Sequence, residues 1–139
     1  MRTYLDASVL VAFFLTDAHT EKARQIVMGA GELLLSDFAA AEFSSAIAGF
    51  CRVGRLDADS ARGIFSDFDI WCLRTCRAVA LAPSDIRTGE QFMRRLDLTL
   101  RTPDALHVAA AGRLQADLAT FDIRMAEAAV RLGVALVEF

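Results

Sequence analysis

Four acidic residues, Asp6, Glu42, Asp104 and Asp122, stand where a carboxylate is either costly or useful. Asp6 ends the apolar segment RTYLD and precedes SVLVAFFL, where an unpaired carboxylate would be expensive to bury. Glu42 lies about one turn into a helix that follows a second apolar strand, beside the stripe Ala39, Phe43, Ala46, Ile47 and Phe50. Asp104 falls in the first turn of a helix opened by Thr102 and Pro103, and Asp122 follows the short strand DLAT. Singly, Asp104 and Asp122 could do no more than offset the positive end of a helix, worth about 0.3–1 kcal/mol each. Glu42 alone could be an ordinary helix-surface acid. Gathered to within about 5 Å, however, such carboxylates repel by roughly 3 kcal/mol per pair at an effective dielectric of about 20. A cation removes that cost. Oxygen-only ligands select hard ions, Mg²⁺ or Mn²⁺, and Mg²⁺ completes its shell with water and substrate phosphate. The chemistry that results is phosphodiester hydrolysis.

The elements that would bring these acids together alternate along the chain. Arg2 to Asp6, Glu32 to Ser36, Arg77 to Leu81, Asp117 to Thr120 and Val134 to Phe139 read as five short apolar strands. Helices are predicted from Ser8 as a cap through Phe14, and over 18–28, 38–53, 58–76, 83–96, 102–115 and 122–133. Strands separated by helices imply an α/β sandwich with a largely parallel sheet, because parallel neighbours need crossover connections. Ligands of such sheets bind beyond the carboxyl ends of the strands, where Asp6 and Asp122 fall.

Composition narrows the function further. The chain has 139 residues, of which 55% are hydrophobic, and reads as one domain spanning 1–139. Cys51, Cys72 and Cys76 form an odd set without zinc-finger spacing, which fits a reducing, cytoplasmic setting. The apolar run Val9 to Leu15 is too short to cross a bilayer, so no membrane span is expected. The net charge of −3 and pI near 5.3 argue against a simple basic nucleic-acid binder. Positive charge is nevertheless concentrated centrally, where residues 51–101 carry nine basic and seven acidic groups.

The ordered set YLDASVLVAFF, AAEFSSAIA, TPDALHVAAA and LATFDIRMAEAA resembles the PIN domain family over essentially the whole chain. Its size resembles the VapC-type toxin ribonucleases of type II toxin–antitoxin pairs. The resemblance implies a three-layer sandwich with a five-stranded parallel sheet, a Mg²⁺ or Mn²⁺ cofactor and RNA cleavage. It also implies a homodimer, a VapB-type antitoxin partner and no nucleotide cofactor. By matching positions, Asp6, Asp104 and Asp122 become the main metal ligands, with Glu42 acting directly or through water. Ser8 and Thr120 match small hydroxyl positions that would orient carboxylates or a water, or simply cap a helix and close a strand end. A non-catalytic RNA-binding or interaction module of the same fold is the alternative, disfavoured by the presence of all four acids. A signalling receiver is disfavoured by the lysine pattern, since the sole lysine is Lys22.

Three further groups invite functional readings. Arg94, Arg95 and Arg101 flank the segment leading to Asp104 and are the first candidates for RNA phosphate contacts. His107, one turn after Asp104, is read as a packing residue or a support for the acids, with a nitrogen ligand as the lesser reading. Phe13, Phe14 and the segment from Phe43 to Phe50 are read as core, with an antitoxin groove as the second possibility.

Overall fold

Alternation of side chains along the strands sorts the core into two faces. In a computed structural model of the chain, which describes residues 1–138, Leu5, Leu33, Leu35 and Ala119 point to one face, and Tyr4, Leu34 and Leu118 to the other. They belong to β1 (Arg2–Leu5), β2 (Glu32–Ser36) and β4 (Asp117–Ala119), which with β3 (Cys76–Val79) form one parallel sheet in the order β3-β2-β1-β4. The first face is covered by α1 (Ala7–Phe14), α2 (Thr20–Gly29), α3 (Asp37–Arg52) and α4 (Ala58–Thr75) through Val9, Leu10, Ile26, Phe43, Ile47 and Phe68. The second is covered by α5 (Pro83–Met93), α6 (Thr102–Arg113) and α7 (Ile123–Arg131), with Val108, Ala111, Met125 and Ala129 buried against the sheet. The result is the expected three-layer α/β arrangement.

The chain builds β2 and β3 on one side of β1, then returns to place β4 on the other. Between β1 and β4 the sheet reverses its winding direction, and a crevice opens beyond their carboxyl ends. Asp6 and Asp122 flank that crevice because each caps the helix that leaves it, Asp6 for α1 and Asp122 for α7.

The sheet has four strands among the described residues, and the expected fifth, from Val134 to Phe139, is corrected to a single parallel bridge, Leu118 to Leu136. Phe139 itself lies outside the described residues. Leu118 N–H donates to Ala135 O at 2.8 Å and Val137 N–H to Leu118 O at 3.0 Å. A three-residue β4 offers little more edge than this to a partner. β3 stops at Val79, two residues short of expectation, because side chains take over the backbone groups that follow. Arg113 donates to Ala80 O at 3.0 Å, Leu81 N–H to Asp37 at 2.8 Å, and Ala82 N–H to Asp85 at 2.8 Å. The α5 helix ends at Met93 rather than Leu96. Ser8 does not cap α1; Asp6 does, accepting Val9 N–H at 3.1 Å.

The sheet edge is braced from the second layer by a close approach of α5 and α6. A Cβ on Gly89 would lie 3.2 Å from Leu106 Cδ2 and 3.5 Å from Ala105, so glycine lets the two helices meet. One turn away, Asp85, 1% exposed, holds the Arg113 guanidinium through Nε at 2.8 Å and Nη2 at 2.9 Å. Among the described residues, no helix is long and apolar enough to cross a membrane.

Candidate active site

Two hydroxyls bind the end of β1 to the end of β4. Ser8 Oγ donates to Asp6 Oδ1 at 2.6 Å and accepts Phe121 N–H at 3.0 Å. Thr120 Oγ1 donates to Asp6 Oδ2 at 2.5 Å and accepts Asp122 N–H at 3.0 Å. Both Asp6 oxygens are therefore held by short-range donors, although the residue is only 2% exposed. Burial pushes the Asp6 carboxyl above its ordinary range, and the hydrogen bonds from Ser8 and Thr120 oppose that rise. A buried carboxylate of raised proton affinity is stabilised when a cation arrives.

Asp122 serves as N-cap of α7, accepting Arg124 N–H at 3.0 Å and Met125 N–H at 3.1 Å. Asp104 sits in the first turn of α6 after Pro103. It accepts the Arg101 backbone N–H at 3.3 Å and lies 3.7 Å from Arg101 Nε. Glu42 projects from α3 and is hydrogen-bonded to His107 Nε2, while Tyr4 OH contacts His107 Nδ1 at 2.8 Å. These four acids, three from helix N-termini and Glu42 from the second turn of α3, line one cleft of about 380 Å³ together with Ser8 and Arg101. A second cavity of about 390 Å³, beside Met1, Thr3 and Asp117, lies at the opposite, amino end of the strands, away from the acids.

The structure thus places Asp6, Glu42, Asp104 and Asp122 around one crevice and sets Ser8 and Thr120 against Asp6. Arg101 borders the crevice with its side chain 81% exposed. Arg94 and Arg95 do not line it; they pair with Glu90 at 2.9 Å and Asp97 at 3.1 Å. His107 is buried and belongs to the site through Glu42. Phe14 and Phe43 pack with Phe68, and Phe13 and Phe14 against Trp71, as core residues, while Phe50 borders a shallow groove with Val11, Leu15 and Leu56, the Arg55 guanidinium 4.8 Å from its ring centroid. Sequence reasoning missed Tyr4 and Ser36, which stand behind His107. The available signal was a tyrosine in a buried strand, whose hydroxyl must find a partner.

The donor set suits a hard divalent cation, being all carboxylate oxygen around a polar opening. Among the described residues, no three His, Cys, Asp or Glu side chains are drawn close enough together to form a metal-holding group. Burial pushes the Cys72 thiol up to about 11 and the Cys76 thiol up to about 12, so neither is a ready nucleophile.

Comparison with known proteins identifies the fold. The PIN domain family model matches residues 3–131. No curated protein sequence matches the chain. Among solved structures, the fold is similar to VapC20 of Mycobacterium tuberculosis, described as a Sarcin-Ricin loop cleaving toxin, at TM-score 0.73 and 14% identity, covering 99% of each chain. It is also similar to FitAcB from Neisseria gonorrhoeae, at TM-score 0.77 and 16% identity over 98% of this chain and 96% of that one. VapBC2 from Rickettsia felis, bound to a DNA fragment from its promoter, matches at TM-score 0.72 and 13% identity over 100% and 99%.

Proposed function

Because this chain belongs to the PIN domain family, we propose that it is a metal-dependent endoribonuclease and the toxin half of a VapBC-type toxin–antitoxin pair. The observation that carries the reading is the convergence of Asp6, Glu42, Asp104 and Asp122 on one cleft at the switch point of the sheet. Structural neighbours described as a cleaving toxin and as a toxin–antitoxin assembly support it.

Asp6, Asp104 and Asp122 would hold Mg²⁺ or Mn²⁺, with Glu42 adding a direct or water-mediated contact. A bound ion would supply a water of lowered pKa and positive charge against the phosphate. The chain's own contribution is to fix that cluster. Ser8 and Thr120 hold both oxygens of Asp6, so this carboxylate presents one geometry. Arg101, exposed at the rim beside Asp104, offers a planar fork to an RNA phosphate and leads the backbone toward the acids. Arg94 and Arg95, paired outside the cleft, would act on more distant phosphates if on any.

The partner reading follows the same family logic. An antitoxin segment with apolar side chains would lie in the groove of Val11, Leu15, Phe50 and Leu56, and two copies of the chain would form the working homodimer. The decisive experiment is incubation of antitoxin-free protein with structured RNA and Mn²⁺, beside Asp6→Asn and Asp104→Asn variants shown to be folded. Chelator-sensitive cuts leaving 5′-phosphate and 3′-hydroxyl ends, absent in both variants, establish the reading. Products with 2′,3′-cyclic phosphate refute it, since they require the ribose hydroxyl as nucleophile. RNA binding without cleavage in wild type leaves the interaction-module reading.

A further inference from the structure

Behind Glu42 runs a chain of buried polar groups that the hydrolytic reading does not require. Ala39 N–H, in the first turn of α3, donates to Ser36 Oγ at 2.9 Å. Ser36 Oγ meets Tyr4 OH at 2.9 Å, Tyr4 OH meets His107 Nδ1 at 2.8 Å, and His107 Nε2 meets Glu42 Oε1. Tyr4, Ser36 and His107 are each no more than 1% exposed, whereas the Glu42 side chain is 30% exposed and lines the cleft. The chain begins in the core and ends at the site.

For a neutral imidazole, the carboxylate end settles the direction of the bonds along the chain. Ser36 Oγ accepts from the Ala39 backbone N–H and keeps a second lone pair, so the direction of its bond to Tyr4 is set from the other side. Glu42 as a carboxylate only accepts, so Nε2 carries the proton, Nδ1 accepts from the Tyr4 phenol, and the Tyr4 oxygen in turn accepts from Ser36. A neutral imidazole that accepts at Nδ1 carries its proton at Nε2, and that proton faces a carboxylate, which accepts. With a neutral imidazole, reversing the Tyr4–His107 bond would turn a bare Nε2 lone pair against the Glu42 carboxylate. The rings are held as well, with Tyr4 edge-on to His107 at 5.6 Å between centroids and Phe38 at 5.0 Å.

We propose that Ser36, Tyr4 and His107 form a positioning relay that locks the His107 tautomer, so that Nε2–H grips one oxygen of Glu42 and presents the carboxylate to the metal site. Glu42 stands on a helix surface with three freely rotating bonds, and unlike Asp6 it receives no hydroxyl from Ser8 or Thr120. The relay supplies the equivalent restraint from the opposite wall of the cleft. His107 is thereby a positioning residue and not a ligand, because its Nε2 is turned to Glu42 and its Nδ1 to Tyr4. The metal end of this assignment rests on the endoribonuclease reading; the tautomer does not.

The test therefore has two readouts. Long-range ¹H–¹⁵N NMR of the metal-free protein at pH about 8, above the ordinary histidine range, is expected to show His107 protonated at Nε2 in wild type. In Tyr4→Phe and Ser36→Ala the population shifts toward the other tautomer. Mn²⁺ affinity by calorimetry is expected to fall about 10- to 100-fold in Tyr4→Phe and His107→Leu, with partial recovery in His107→Gln, which restores a donor toward Glu42. In a Glu42→Gln background, Tyr4→Phe is expected to change Mn²⁺ affinity by less than about twofold, because its route to the metal is gone. An Nδ1-protonated wild type overturns the relay, and so does a Tyr4→Phe effect that persists in full in Glu42→Gln. Ser36→Ala, two bonds from the imidazole, carries the NMR and affinity arms if Tyr4→Phe fails to fold. A wild type with the expected tautomer that binds no Mn²⁺ and cuts no RNA refutes the endoribonuclease reading while leaving the orienting chain in place.

Discussion

Removing the Arg113 side chain tests whether α6, which carries both Asp104 and His107, is latched to α5 by charge. Asp85 is 1% exposed and receives Arg113 Nε at 2.8 Å, Arg113 Nη2 at 2.9 Å and Ala82 N–H at 2.8 Å. Arg113→Leu leaves that carboxylate buried with one backbone donor, a situation that costs about 3–5 kcal/mol. The Arg113 side chain is 36% exposed, so part of the pair already faces water and the lower end, about 3 kcal/mol, is expected. Asp85→Ala is milder. It deletes the acceptor for Ala82 N–H, about 1 kcal/mol, and strands a guanidinium that can rehydrate, for a total of about 2 kcal/mol. The double variant Asp85→Ala/Arg113→Leu removes the stranded charge and is expected to fall short of the sum of the single losses by about 1–2 kcal/mol. Urea unfolding followed by Trp71 fluorescence measures all three, and a loss of about 3 kcal/mol corresponds to roughly 10 °C in Tm for a domain of this size. Equal losses in the two single variants, or strict additivity in the double, would show that the pair is an ordinary surface contact and that packing around Gly89 alone joins the helices.

The other expectations are more local. Asp6→Asn and Asp104→Asn are each expected to lower Mn²⁺-dependent RNA cleavage at least about 10²-fold, since a lost ligand forfeits several kcal/mol of charge stabilisation, with far-ultraviolet circular dichroism unchanged. Arg101→Ala is expected to weaken RNA binding with little sequence preference and to reduce the salt slope of binding by about 1, measured by fluorescence anisotropy across a salt series. Gly89→Ala is expected to lower stability by about 1–2 kcal/mol because its Cβ would press on Leu106, whereas Gly63→Ala in α4, where the new Cβ meets nothing within 4 Å, is expected to raise it by about 0.5–1 kcal/mol in the same denaturation assay. Burial raises the Asp6 carboxyl, so the stability this group contributes is fully present below the ordinary aspartate range and is lost as pH rises through its folded value. Mn²⁺ reverses that loss by binding the ionised form, and the Tm gain from a fixed Mn²⁺ concentration is expected to be larger at pH about 7 than at pH about 5. A gain independent of pH would remove Asp6 from the metal site.

Local physics made much of this protein legible before any fold was known. Asp6 betrayed itself as a carboxylate between apolar runs. Asp57 N-caps α4, Glu32–Ser36 is the strand that its apolar run announced, and Pro103 sits at the start of α6, since caps, proline and side-chain periodicity act within a few residues of the chain. The fifth strand was misread for the same reason. Val134 to Phe139 has the composition of a strand, but a strand exists only to the extent that a neighbour offers an edge, and β4 offers three residues. The early end of β3 was equally hidden, because Asp37, Asp85 and Arg113, distant in sequence, take the backbone groups of residues 80–82.

At the site, the sequence by itself determined which acids exist and that they lie at strand ends and helix starts, where a parallel sheet delivers them to one edge. Only the tertiary structure decided that Arg101, and not Arg94 or Arg95, borders the cleft, and that His107 turns its two nitrogens to Glu42 and Tyr4. Those choices depend on which helix faces lie opposite one another once the chain has wound both ways from β1. Residues such as Tyr4 and His107, 103 positions apart, acquire their roles from that juxtaposition and carry no local signal of it.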